Sequence, residues 1–198
     1  MSSGSAGINT REQAESAEEA ALIARIRRGE SHLYGTLVDR YQRRLWWSCL
    51  RMLGDADEAD DVVQETFVRA WEKLDGFDPG HRFYTWVFTI ARNRCLNALR
   101  SRRTWGFRSL SGDDPPVLPA REDAGSGAED RELARALAEC LETLPRDQRE
   151  VFDLRHGEDF RYAEIAGVLE LSLGTVMSRL HRARERMRDC LEGKGQRP

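Results

Sequence analysis

The stretch from Arg161 to Arg188, RYAEIAGVLELSLGTVMSRLHRARERMR, decides how this chain is read. Its first segment repeats Tyr162, Ile165, Ala166 and Leu169 at helical spacing, which makes one face apolar. Gly167 lowers the helix propensity there without breaking the period. Leu171-Ser172-Leu173 interrupts it, and Ser172 is a capping residue whose hydroxyl accepts from the amide of Thr175. From Gly174 onward Val176, Leu180, Ala183 and Met187 form a second apolar stripe, with Ser178, Arg179, His181, Arg182, Arg184, Arg186 and Arg188 on the remaining faces. The spacing predicts helix, tight turn, helix. A short capped helix with an apolar back and a cationic front fits the major groove of duplex DNA. A solvated helix at the end of a bundle would carry the same charges, but it needs no compact helix and turn in front of it.

Working outward, the length of 198 residues suits one large domain or two small ones, and 40% hydrophobic content with 33% charge describes modest cores. No apolar run approaches a membrane span, and MSSGSAGINTREQAE lacks the apolar region of a signal peptide, so a cytoplasmic protein is expected. Cys49, Cys95, Cys140 and Cys190 lie far apart without CxxC or CxxH spacing, which predicts reduced, buried thiols and no zinc site. The net charge of −3 hides strong segregation. His81–Leu110 holds seven arginines and no acid, whereas Asp55–Asp75 holds eight acids against Arg69 and Lys73, and Ser111–Glu132 seven acids against Arg121 and Arg131. Such blocks bear on partners in a way the total does not.

In chain order, residues 1–15 read as a disordered start, followed by a helix from near Ala17 to Arg28. Ser31 caps a longer helix with Leu33, Leu37, Tyr41, Leu45, Cys49 and Met52 inward; the adjacent Trp46 and Trp47 cannot both join that stripe. Gly54 ends it, and Asp55 or Asp57 caps the next, whose inner face is Val62, Val63, Phe67, Ala70, Trp71 and Leu74. Glu58, Asp60 and Asp61 suit the helix dipole; Gln64 and Glu65 lie too far along for that account. A loop from Asp75 to Arg82 leads to a helix in which Phe83, Trp86, Val87 and Ile90 are mostly core. Its polar side, Arg82, Arg92, Asn93 and Asn97, beside Phe77, offers stacking and amide groups suited to an unpaired base. Residues 104–128, rich in Pro, Gly and acids, form a linker. Beyond it Leu133, Leu137 and Leu141 repeat, and Pro145 opens a helix Arg146–His156 with Val151, Phe152 and Leu154 inward. Residues 193–198 fray.

In that order the blocks resemble the extracytoplasmic-function group of bacterial sigma-70 factors. Asp61-Val62-Val63-Gln64-Glu65-Thr66-Phe67 is similar to the region-two helix that docks on the polymerase clamp, and Phe83-Tyr84-Thr85-Trp86 through Ile90-Ala91-Arg92-Asn93 to the promoter-melting segment. Leu144-Pro145-Arg146-Asp147-Gln148-Arg149-Glu150-Val151-Phe152, then Gly174-Thr175-Val176 and Ser178–Arg184, resembles region four. The resemblance implies an all-α protein of two small helical domains, region two over 16–103 and region four over 129–192. It implies that Asp60, Asp61, Gln64 and Glu65 meet the β′ clamp of core RNA polymerase, with the β flap a second contact. It implies that Phe77, Arg82, Phe83, Tyr84, Trp86, Arg92, Asn93 and Asn97 serve the −10 element, where a non-template base is flipped out. Thr175, Met177, Ser178, Arg179, His181, Arg182, Arg184 and Arg186 would serve the −35 element, and an anti-sigma factor would restrain the whole. No cofactor, metal or covalent chemistry is expected.

Two departures from the family pattern carry expectations. Met177 stands where relatives carry Lys or Arg; a thioether cannot contact phosphate as a cation does but can touch a thymine methyl, which predicts an altered −35 preference. Thr89 and Ile90 stand where housekeeping sigma factors place a tryptophan pair, which predicts weaker strand separation. A stand-alone helix-turn-helix regulator would account for residues 161–188 but leaves the acidic helix and the aromatic-amide segment without purpose. A nuclease is disfavoured, since His32, His81, His156 and His181 are isolated and Asp60 and Asp61, adjacent on a helix, diverge by about 100°.

Overall fold

The computed structural model describes residues 4–104 and 128–195, and the regular elements among them are all helical. They are α1 (Gly4–Arg27), α2 (Tyr34–Leu53), α3 (Ala56–Glu72), α4 (Phe83–Thr104), α5 (Ala128–Glu142), α6 (Arg146–His156), α7 (Tyr162–Leu169) and α8 (Leu173–Gly193), with single 3-10 turns at Ser31–Leu33 and Leu74–Gly76. The chain divides into two compact units, Met1–Pro116 and Val117–Pro198. The interior of the expected linker, 105–127, and the last three residues of the expected frayed tail, 196–198, lie outside the described residues.

In the first unit α2, α3 and α4 pack on one another. Leu37, Leu45, Phe83, Tyr84 and Val87 are fully buried, and Ile23 of α1 joins them in the core. Helix ends fall where backbone chemistry puts them. Gly54 takes the left-handed φ of 71° that closes α2, and Asp55 accepts from the Glu58 amide at 3.0 Å to open α3. Two expectations change. The disordered start becomes helix from Gly4, because Ala, Glu, Gln and Arg are good helix formers that extend a segment anchored by buried Ile23 and Ile26. Trp71, expected inside, is 42% exposed and meets Tyr34 edge-on at 4.9 Å.

The site-bearing end of this unit is tied down from α1. Glu19, nearly buried, accepts from the backbone N–H of Phe83 at 3.0 Å, and the Tyr41 hydroxyl donates to its other oxygen. A carboxylate from 64 residues upstream thus satisfies the first orphan amide of α4. Burial and that carboxylate push the Tyr41 phenol up to about 12. Arg27 donates to the carbonyl of Leu74 at 3.0 Å and also to that of Phe77, fixing the loop before α4.

The second unit is built around α8, against which α5, α6 and α7 all pack. Its stripe of Val176, Leu180, Ala183, Met187 and Leu191 is buried, as the periodicity predicts. Ser172 accepts from the Thr175 amide at 3.1 Å, the expected cap. On α5 the leucine repeat misleads: Leu133 and Leu137 are each 37% exposed, and the inward residues are Ala136, Cys140 and, just past the helix, Leu144. Small side chains there let the two helices approach closely. Cys140 and Cys190 consequently have Cα atoms 5.8 Å apart and are joined in a disulfide, which corrects the expectation that all four thiols are reduced. Fifty positions of sequence separate them, so no spacing rule could pair them. Cys49 and Cys95 are buried thiols outside any disulfide, and a hydrogen bond from Cys49 holds the Cys95 thiol below its ordinary pKa.

Candidate nucleic-acid interface

Helix α8 is presented by local geometry before any ligand is considered. Glu170 adopts a left-handed φ of 54° at the end of α7, and the Leu171 amide donates back to Ala166 at 2.9 Å, so the chain turns sharply into Ser172. With its apolar stripe buried, α8 exposes Leu173, Gly174, Met177, Ser178, His181, Arg182, Arg184, Arg186 and Arg188.

The expected −35 residues do not all remain available. Ser178 donates its hydroxyl to the Thr175 carbonyl at 3.0 Å, and the Thr175 hydroxyl lies 2.8 Å from that of Ser172. Arg179, only 27% exposed, pairs with Asp147 of α6 at 3.2 Å. That guanidinium ties two helices together. His181 stands 3.3 Å from Glu185. Arg182, Arg184 and Arg186 project into solvent. Leu173, placed in the interrupting turn by its sequence context, is instead the first residue of α8 and is 50% exposed; it lies three before Val176, in phase with the buried stripe, so helical period alone would not have marked it as open.

In the first unit Asp60, Asp61, Gln64 and Glu65 are all exposed along α3. Glu65 is ion-paired with Arg94 of α4, so three of the four present unshared faces while the fourth also braces α3 against α4. Arg102 does the same further along, donating to Glu58 at 3.0 Å and to the Leu53 carbonyl at 3.2 Å. Part of the arginine block that composition marks as a nucleic-acid footprint is therefore structural.

The aromatic-amide segment needs larger correction. Phe77, Phe83 and Tyr84 are buried, at 4%, 0% and 1% exposure, so they cannot stack on a base in this conformation. Phe77 sits between Phe83 and Trp86, with ring centroids 5.6 and 5.0 Å away, and Arg44 lies over Tyr84. Trp86, Arg82 and Arg92 are half-buried, and Asn93 and Asn97 are exposed. Asn93, Asn97 and Arg100 recur at i, i+4, i+7 and form one polar stripe, on which Arg100 donates to Asn97 at 3.2 Å. In the preceding loop Asp78 accepts from the Gly80 amide at 2.9 Å and faces His81 at 3.1 Å; the amide first, then the imidazole, keep its carboxyl below the usual range. Among the described residues no three His, Cys, Asp or Glu side chains gather as metal ligands, and no helix is long and apolar enough to cross a membrane.

Comparison with known proteins meets this geometry at both ends of the chain. The Sigma-70 region 2 family matches residues 37–104, and the Sigma-70 region 4 family matches 134–187. The ECF RNA polymerase sigma factor SigW of Bacillus subtilis is 30% identical over 176 residues, covering 85% of this chain and 94% of its own. The RNA polymerase sigma-H factor of Pseudomonas aeruginosa is 32% identical over 190 residues, covering 88% and 94%. The sigma factor RpoE of Bartonella quintana, crystallised with the anti-sigma factor NepR, aligns with a TM-score of 0.62 at 28% identity over 80% of this chain and 96% of its own. CnrH, in complex with the cytosolic domain of CnrY, gives 0.60 at 29% identity over 88% and 97%. A four-helix unit with an acidic outer helix, followed by a helix-turn-helix unit with a cationic outer face, thus carries both regions in their family order, and the chain belongs to the extracytoplasmic-function group of sigma-70 factors.

Proposed function

We propose that this sigma factor binds core RNA polymerase through the outer face of α3 and delivers it to promoters whose −35 element is read by α8. The observation that carries the reading is the exposed run of Asp60, Asp61 and Gln64, a polar and acidic face on an otherwise well-packed helix that continues past the first turn, where the helix dipole accounts for acids. A stand-alone duplex-binding regulator has no use for it. The β′ clamp is the proposed partner of that face and the β flap of the second unit. Region two is taken as 16–103 and region four as 129–192, with 104–128 joining them.

For the −10 element the polar stripe of Asn93 and Asn97, with Trp86 and Arg92 beside it, is the proposed contact for an unpaired non-template base. Phe77, Phe83 and Tyr84 act from beneath by holding that stripe rigid. Strand opening needs no covalent step: capture of unstacked bases supplies the free energy, so the protein is not an enzyme and acts in the cytoplasm with the polymerase. Solved relatives held by NepR and by the cytosolic domain of CnrY support an anti-sigma partner for this chain as well.

Run-off transcription with core polymerase over a library randomised in both elements tests the proposal. Transcripts that need this protein and share one pair of elements are expected. Tight specific binding of duplex by the protein alone, with no polymerase-dependent transcript, would refute it.

A further inference from the structure

We infer that Leu173 and Met177 form an apolar reading head for the 5-methyl groups of thymine in the −35 element; the inference rests on the sigma reading above. The two side chains are 50% and 52% exposed, as open as any large apolar residue of the second unit. They stand one turn apart on one ridge of α8, so their Cβ atoms are about 6 Å from each other. Gly174 between them carries no side chain, and a Cβ there would find only the Ser172 hydroxyl within 4 Å, at 3.9 Å. The ridge is therefore open to close approach by a flat surface.

The polar groups of the same two turns are occupied within the protein. Ser172 and Thr175 cap the helix, Ser178 bonds to the Thr175 carbonyl, and Arg179 is held by Asp147. What the N-terminal end of α8 offers outward is thus mainly hydrocarbon and thioether. In a helix-turn-helix this end of the recognition helix meets the base edges. Thymine is the one base that presents a methyl group in the major groove, and apolar side chains are its readers. Arg184 and Arg188, exposed seven and eleven positions past Met177 and so on its side of the helix, give the same face a cationic tail matched to phosphates. That continuity selects a nucleic acid over a protein as the occupant. A span of about 6 Å covers no more than two base-pair steps at about 3.4 Å each.

The test uses the full chain in holoenzyme with core polymerase, on a promoter taken from the selection above. Each −35 thymine is replaced in turn by deoxyuridine, which removes only the methyl group. At one or two positions the substitution is expected to weaken wild-type binding about fourfold, the effect of one buried methyl-sized group. The penalty should vanish in Met177→Ala or Leu173→Ala, both exposed positions whose folding circular dichroism would verify. A wild-type affinity indifferent to uracil at every thymine, a penalty that persists in both variants, or a −35 element without thymine would each overturn the inference. So would a loss of protein binding in Met177→Ala without a uracil effect, since the ridge would then face a protein. Absence of any polymerase-dependent binding across the library is a separate result that removes the sigma reading and this inference together.

Discussion

Arg179 of α8 reaches back to Asp147 of α6 at 3.2 Å, so a cation on α8 is used to hold that helix in place. Removing either partner should cost the second unit about 0.2–1 kcal/mol in urea unfolding, the range for a partly exposed pair. In a double-mutant cycle with Asp147→Ala and Arg179→Ala the two losses should not add. On DNA, Arg179→Ala should lower affinity for every −35 sequence alike. Relaxation at one base position would show that the guanidinium leaves Asp147 and reads that base.

Arg182 is exposed in the third turn of α8, whereas Arg184 and Arg186 lie further from the helix start. Arg182→Ala is expected to relax specificity at one position by about 1–3 kcal/mol, scored by competition between −35 variants. Arg186→Ala should weaken all sequences equally and reduce the slope of log affinity against log salt by about one.

Glu19 satisfies the Phe83 amide and the Tyr41 hydroxyl in the interior. Glu19→Ala leaves both donors without their partner, at about 1–3 kcal/mol each. Glu19→Gln, which keeps an acceptor, should lose less. Denaturant midpoints of the two variants check the order; equal and negligible losses would mean that water replaces the carboxylate.

The disulfide between Cys140 and Cys190 closes a loop of 50 positions. Reduction, or Cys190→Ser, should therefore lower the stability of the second unit by about 2–4 kcal/mol and leave the first unit unchanged. Thermal unfolding with and without a thiol reductant, followed by a probe in each unit, measures this.

His156 is held below its ordinary pKa of 6.5 by partial burial, and then by Arg184 and Arg155 nearby. The folded state thus favours the neutral ring, and the unfolded chain takes up a proton first as the solution is acidified. This contribution to stability is present above pH 6.5 and is lost as pH falls through the lower folded value. His156→Gln should flatten the pH dependence of the second unit between pH 6.5 and that lower value; an unchanged slope would assign it to other groups.

Much of this was legible in the chain. Ser172, Asp55 and Gly54 announce helix ends through local chemistry, and the structure uses each of them so. The stripe from Val176 to Met187 is buried because helical period and hydrophobicity agree there. What sequence could not show is which partner a side chain meets across space. Phe77 looked available in a Gly- and Pro-rich loop, yet Arg27 grips that loop's carbonyls and folds the ring under Trp86. Leu133 and Leu137 were periodic but lost the interface to smaller neighbours, because close helix approach favours Ala136 and Cys140. Glu65, Arg94 and Arg102 belong to a charge pattern that is partly scaffold, a division invisible until α3 and α4 are set side by side.

The reach of Glu19 to Phe83 has a consequence for the protein as it is made. The carboxylate leaves the ribosome 64 residues before the amide that it caps. At synthesis rates of about 5–20 residues per second, that interval is about 3–13 s. Over those seconds Glu19 stays hydrated and α1 lacks its anchor on α4. The first unit is therefore completed only after its own last helix begins to emerge, and a nascent chain stalled earlier would carry α1 and α2 without the contact that closes them.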